Sequence, residues 1–232
     1  MDKTIIAIGG GEIKNKSTLE IDRYISNLAK IHAGDKRANA LFIGTASHDS
    51  MPYFNSFRKT YTSVFDVKVD VALIVYGEMN IDHIKEKFEK ADMIYIGGGD
   101  TVFMLEKWAE TGLMQLILDA YNSGKIISGL SAGAICWFAN MYTDFEIMRG
   151  ESADYVLKKG LGVLEGTMCP HFNERETDFM PAMLKHNIAS AYAVENDCAI
   201  EFVNGSFVKS ISSGGKAYIL TNEDGKIIKK EI

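Results

Sequence analysis

Cysteine, proline and basic charge are all scarce in this 232-residue chain, with 3 cysteines, 3 prolines and 25 Lys and Arg against 31 Asp and Glu. The cysteines, Cys136, Cys169 and Cys198, are odd in number and far apart. That excludes a disulfide scaffold and offers neither a CxxC pair nor a Cys/His cluster for zinc, so no metal site is expected. The same count suits a reducing compartment. A net charge of −6 leaves no basic stripe to neutralise phosphates, which argues against a nucleic-acid partner. Apolar runs are short and broken by Gly and Ser, far from the ~20 residues of a membrane helix, so no membrane partner is expected. Met1-Asp2-Lys3 runs straight into Thr4–Ile8 without a leader pattern, and a cytoplasmic location is the expectation. Repeats and low-complexity linkers are missing too, and a 47 % hydrophobic, 24 % charged composition excludes disorder. One domain over residues 1–232 is expected, large enough to bury about 70 % of its unfolded surface.

What is abundant is glycine, with 21 residues, and its placement is informative. Thr4–Ile8, Ala40–Ile43, Met93–Ile96 and Lys125–Ser128 are short apolar, β-branched runs, and each ends at glycine. Between them lie segments with helical apolar spacing: Ser17–Ile31, Tyr53–Phe65, Asp82–Lys90, Thr101–Trp108 and Leu113–Asn122. Val67–Val75 reads as a further strand. Such alternation predicts parallel βαβ units in a sheet covered on both faces. After residue 190, Asn204-Gly205, Gly214-Gly215 and Asp224-Gly225 separate short strand-like runs as hairpins. The predicted fold is a doubly wound, flavodoxin-like α/β domain, mostly parallel, extended by C-terminal antiparallel hairpins. Sites in such sheets form where strands end and helices begin. Gly9–Gly11, Gly97–Gly99 and Gly129 with Gly133 all fall at those places.

Gly129-Leu130-Ser131-Ala132-Gly133 matches G-x-S-x-G between a predicted strand and a predicted helix, the context of a nucleophile elbow. Its bland alternative is a tight turn with Ser131 as a helix cap. In the elbow reading the Ala132 amide points toward a developing oxyanion. The Gly98 or Gly99 amide, at a neighbouring strand end, is the expected second donor. Gly97-Gly98-Gly99-Asp100-Thr101 is not a phosphate loop, because no Lys-Ser/Thr follows and the G-x-G-x-x-G spacing is missing. Asp100 alternatively caps the next helix.

A serine nucleophile needs a base. His32, His83 and His186 lie in helical segments where a solvated face explains them. His48 and His171 lie at strand ends, and position favours His171, after Met168-Cys169-Pro170. For the orienting acid, Asp144, Glu146 and Glu195 all remain open among 31 carboxylates.

Taken together, Gly97-Gly98-Gly99-Asp100-Thr101, the elbow Gly129-Leu130-Ser131-Ala132-Gly133-Ala134 and Pro170-His171-Phe172, in that order, resemble the dipeptidase E / cyanophycinase family of serine peptidases. That family has a class I glutamine amidotransferase-like fold. The resemblance spans roughly residues 4–205. It implies that Ser131 attacks a peptide carbonyl and that His171 takes its proton. It places the acid at Glu195 or at Asp144, with Glu195 preferred. It further implies that Arg175 binds a substrate carboxylate, hence an Asp-containing short peptide, with Asp100 and Thr101 beside the substrate. Asp100 stands where the family has Asn, a departure that bears on specificity. No cofactor is implied, and members are monomers or homodimers.

Three alternatives fit less of the sequence. A glutaminase would need cysteine at the elbow, where Ser131 stands. A generic α/β-hydrolase would need a histidine near the C-terminus, and none follows His186. A non-catalytic relative binding a small molecule in the same pocket is the principal alternative.

Overall fold

The computed structural model describes residues 2–76 and 80–232. Its first half alternates as expected: β1 (Thr4–Ile8), α1 (Leu19–Ala33), β2 (Asn39–Ile43), α2 (Met51–Ser63), β3 (Lys68–Ala72), α3 (Ile81–Lys90), β4 (Met93–Ile96), α4 (Thr101–Thr111), α5 (Leu113–Asn122) and β5 (Ile126–Leu130). Then come α6 (Ala132–Ile135), β6 (Phe138–Thr143), α7 (Phe145–Arg149), β7 (Val156–Lys159), β8 (Leu164–Pro170), α8 (Phe172–Lys185), β9 (Ser190–Val194), β10 (Cys198–Val203), β11 (Ser206–Ser212), β12 (Ala217–Glu223) and β13 (Lys226–Glu231).

The strands form two sheets. One has seven strands in the order β11-β10-β1-β5-β4-β2-β3, and the other has six in the order β13-β12-β9-β8-β6-β7. In the first, β1, β5, β4, β2 and β3 run parallel, and β10 adds antiparallel to β1. Both faces of β1, β5, β4 and β2 are apolar, as sheets covered by helices require, while the edge strand β3 exposes Lys68 and Asp70. In β1, Ile5 and Ala7 join the cluster that packs under α3–α5 and reaches into the second sheet, whereas Ile6 and Ile8 join the one under α1 and α2. Phe42 and Tyr95 stack in the latter cluster with Phe57 and Tyr61.

The single extended sheet expected from the sequence is thus replaced by two. The hairpin β10–β11 extends the first sheet, but β12 pairs with β9 and carries β13 into the second. The helix expected after Ser131 lasts only from Ala132 to Ile135. Trp137 and Phe138 then turn into the fully buried space between the sheets, and that burial favours a strand start over a longer exposed helix. In the second sheet β8 runs parallel to both β6 and β9. Its outer face packs Tyr142, Cys169, Ala193 and Leu220 against Phe172, Phe179 and Met183 of α8.

This arrangement positions the site. The C-terminal ends of β1, β4 and β5 carry the three glycine clusters and Ser131. The paired ends of β8 and β9, Pro170 and Val194, deliver the residues that follow them from the second sheet. No helix among the described residues is long and apolar enough to cross a membrane.

Candidate active site

Ser131 follows β5 directly and adopts φ +51°, ψ −107°, a conformation an L-residue rarely holds without surrounding constraint. The constraint is visible. The Ser131 amide donates to the Ile8 carbonyl of β1 at 2.9 Å, while its own carbonyl accepts from Ala134 and Ile135 at 2.9 Å each. The two elbow glycines are there because α6 passes too close for side chains. A Cβ on Gly129 would run into the Gly133 carbonyl and sit 3.0 Å from the Ala134 nitrogen. One on Gly133 would meet Ile96, with Cγ2 at 2.7 Å.

The loop after β4 is tied at both sides. Gly97 N–H donates to Ile43 O at 2.9 Å, and Asp100 N–H to Ala46 O at 2.8 Å. Between them, a Cβ on Gly98 would lie 3.4 Å from Ser131 Cβ, which puts this loop against the serine. Gly99 has φ +138° and runs against the Ala46 carbonyl, so a side chain there is excluded by conformation and by space. Tyr53 packs against the same loop, and burial pushes its phenol pKa up to about 12.

His171 follows β8 directly and precedes the first turn of α8, with φ +134°. Its Nε2 lies 2.6 Å from Ser131 Oγ. Its Nδ1 lies 2.9 Å from Oδ1 of Asn196, in the loop between β9 and β10. Burial, followed by the positive charge of Arg175, holds the His171 imidazolium below the usual histidine range. The structure therefore brings Ser131 and His171 together from two different sheets.

Neither of the two preferred acids reaches the histidine. Glu195 is turned the other way, accepting from the Lys216 amide at 2.9 Å and the Tyr218 hydroxyl at 3.3 Å. Asp144 is held by Arg175 Nη2 at 2.8 Å. That same pair changes the place of Arg175. Its guanidinium is 4 % exposed, donates to the Tyr142 carbonyl at 3.4 Å and lies 4.8 Å above the Tyr155 ring, so it ties α8 to the end of β6 and presents no free fork to a ligand. Asp100 caps α4, accepting from Phe103 N–H at 2.9 Å, and pairs with Arg149 Nε at 2.6 Å. Thr101 is buried in the first turn of α4. His48 stacks on Phe103 at 4.1 Å and takes no part in the Ser131–His171 contact.

Two residues of the site stand outside the sequence expectations. Asn196 is one, a single position from Glu195. Gly10 is the other: a Cβ there would overlap Asn196 Oδ1 and His171 Nδ1, with Cε1 at 2.7 Å. Gly9–Gly11 is thus no simple turn. It lets the first sheet close on the imidazole from behind.

In front of Ser131 and His171 opens a cleft of about 640 Å³. Gly98, Gly99 and Leu130 form its floor near the serine, and Ile13, Tyr53 and Met148 supply apolar wall. Its charged lining residues are Glu12, Lys14 and Asp144.

A serine and a histidine in hydrogen-bond contact, on a strained strand-to-helix turn beside a glycine loop, have the geometry of a nucleophile elbow. The chain belongs to peptidase family S51, which it matches over residues 5–210. It is similar to the uncharacterized peptidase YgaJ of Bacillus subtilis strain 168, at 34 % identity over 93 % of this chain and 91 % of that one. Peptidase E of Haemophilus influenzae is 23 % identical over 88 % of this chain and 93 % of its own length. Among solved structures, a peptidase from an acI-B1 actinobacterium superposes with a TM-score of 0.70 at 18 % identity, covering 100 % of this chain and 94 % of that one. The fold and the peptidase class expected from the sequence are those of the family.

Proposed function

We propose that this peptidase hydrolyses short peptides through an acyl-enzyme on Ser131. The observation that carries the reading is the 2.6 Å contact between Ser131 Oγ and His171 Nε2 at the cleft floor. His171 takes the serine proton as Oγ attacks the scissile carbonyl, then gives it to the leaving amine. Water, activated in the same way, releases the acid. The amides of Ala132 and of Gly98 or Gly99 flank the serine and are the donors to the oxyanion, each worth about 10²–10³ in rate. Asn196, not a carboxylate, holds Nδ1.

Preference for Asp next to the scissile bond rests on the resemblance and cannot rest on a free Arg175. An incoming carboxylate must either displace Asp144 from that guanidinium or meet Lys14, the cation that lines the cleft. A dipeptide and tripeptide library given to the purified protein tests the proposal. Turnover of short peptides is expected, and a folded protein that cleaves none overturns it.

The same assay carries a pH prediction. Only neutral His171 can act as base, and its pKa lies below the ordinary 6.5. Because a lowered pKa keeps the imidazole neutral further into acid, kcat/KM at pH 6.5 should exceed half its plateau, with the acid limb centred below 6.5. An acid limb centred above 6.5 would contradict the environment described for His171.

A further inference from the structure

We propose that Glu174 is a positioning residue that acts through Asn196 to fix the tautomer of His171, an inference that rests on the serine-peptidase reading of the site. A side-chain amide can offer a neighbour either its oxygen or its NH₂, and the two orientations have almost the same shape. The choice matters here. If Asn196 turned its NH₂ to Nδ1, that nitrogen would have to accept. The ring proton would then sit on Nε2, where it faces Ser131 Oγ and blocks proton abstraction.

Glu174 decides the orientation. Its Oε1 accepts a hydrogen bond from Asn196 Nδ2. An ionised carboxylate only accepts, so it selects the NH₂ end and turns Oδ1 toward the imidazole. Nδ1 must then carry the proton it donates to Oδ1 at 2.9 Å, and Nε2 is left as the acceptor 2.6 Å from Ser131 Oγ. The neighbouring Asn173 holds the same loop in place, its Oδ1 accepting from the Asn196 amide at 2.9 Å. Both helpers stand in the first turn of α8, two and three residues after the histidine they serve. Gly10 closes the remaining space, so Asn196 cannot swing away toward β1.

The chain His171–Asn196–Glu174 therefore keeps a negative charge near the imidazole at one amide's remove. The charged groups bearing on His171 are Arg175, Glu174 and Asp144, and Arg175 is itself paired with Asp144. Glu174 is thus the carboxylate on this side without a cation as partner among the described residues. The competing account is that Glu174 merely sits well at the positive end of α8. That account predicts a loss of stability without a change in the histidine.

The test compares Glu174→Gln, Asn196→Asp and the exchange Glu174→Gln/Asn196→Asp. Glutamine can donate or accept, so Glu174→Gln frees the Asn196 amide to take either orientation. Its kcat should fall about 10- to 100-fold at unchanged KM and thermal midpoint, the scale of losing an outer hydrogen-bond partner. The exchange puts the carboxylate directly on Nδ1 with a donor behind it. It should recover to within a few-fold of wild type, with its acid limb moved to higher pH because the charge is nearer the ring. Asn196→Asp alone sets two carboxylates against each other and should recover less than the exchange. Independently of turnover, ¹⁵N NMR of His171 should show the proton on Nδ1 in wild type and a mixture of tautomers in Glu174→Gln. Unchanged kcat with an unchanged tautomer in Glu174→Gln overturns the proposal, as does a loss of stability alone. Absent turnover in wild type would instead count against the peptidase reading, and the NMR comparison would still decide the role of Glu174.

Discussion

Ser131→Ala should remove peptide turnover, lowering kcat by about 10⁵–10⁶-fold, while leaving the thermal midpoint within a degree or two of wild type. The magnitude follows from the loss of a whole covalent route, since serine hydrolases without their nucleophile retain only binding and oxyanion stabilisation. The structural part follows from what the hydroxyl touches. Its single hydrogen-bond partner among the described residues is His171 Nε2, in a part-buried setting open to the cleft. The backbone bonds that hold the elbow, from Ser131 N to Ile8 O and from Ala134 and Ile135 to Ser131 O, are the same in alanine. Circular dichroism with a melting curve and a discontinuous peptide assay read the two halves. Turnover within tenfold of wild type would remove Ser131 from the mechanism.

Gly10→Ala should damage the Ser131–His171 pair severely without replacing either residue. Gly10 is not among the glycines with positive φ, so alanine meets no conformational penalty of its own there. What it meets is the site. Its methyl would overlap Asn196 Oδ1 and His171 Nδ1 and lie 2.7 Å from Cε1. It cannot be relieved by moving Gly10 alone, because the Gly10 carbonyl accepts from Asp197 N–H at 3.0 Å and Gly9 N–H donates to Cys198 O at 2.9 Å. Either the imidazole or the 195–197 loop must shift. If His171 is the general base proposed above, a displacement near 1 Å costs about 10² in rate, and the crowding costs about 1–3 kcal/mol in stability. The expectation is a loss of kcat/KM of a hundredfold or more in a protein that still folds at 20 °C. Wild-type kinetics would show that His171 does not need the contact from Asn196.

These two positions also show what the sequence discloses and what it withholds. The elbow is legible because everything that makes it is local: an apolar strand, small residues where α6 crosses, and a serine between them. Four of the five parallel strands, β1, β2, β4 and β5, are legible for the same reason, each an apolar run, whereas the edge strand β3 alternates exposed Lys68 and Asp70 with partly buried Val69 and Val71. His171 is legible by position, since it ends an apolar run. The partner of its Nδ1 is not. Glu195 and Asn196 lie in the turn after β9, where no strand periodicity fixes which way a side chain points. Which of Glu195 and Asn196 faces the imidazole therefore depends on how the loop after β9 meets β12, where Lys216 N–H and Tyr218 claim the glutamate. That contact joins elements more than twenty residues apart, and no local pattern records it.

Arg175 illustrates the same limit for charge. Sequence places a guanidinium near the histidine but does not show that Asp144, thirty-one positions earlier, already occupies it. The second sheet was hidden because its strands are less uniformly apolar. β6 buries Phe138 and its last three residues but leaves Ala139 and Asn140 partly exposed, and β7 is partly or fully exposed throughout. Gly10 was hidden because the reason for a glycine lies in what approaches it from elsewhere in the chain.

The central claim is that Ser131 is a nucleophile made reactive by His171. Labelling with a fluorophosphonate tests it most directly, because the reagent needs an activated serine but no knowledge of the natural substrate. Peptide mapping by mass spectrometry should place a single adduct on Ser131, absent from Ser131→Ala and strongly slowed in His171→Ala. A folded wild-type protein that forms no adduct, or forms one on a different serine, would contradict the account.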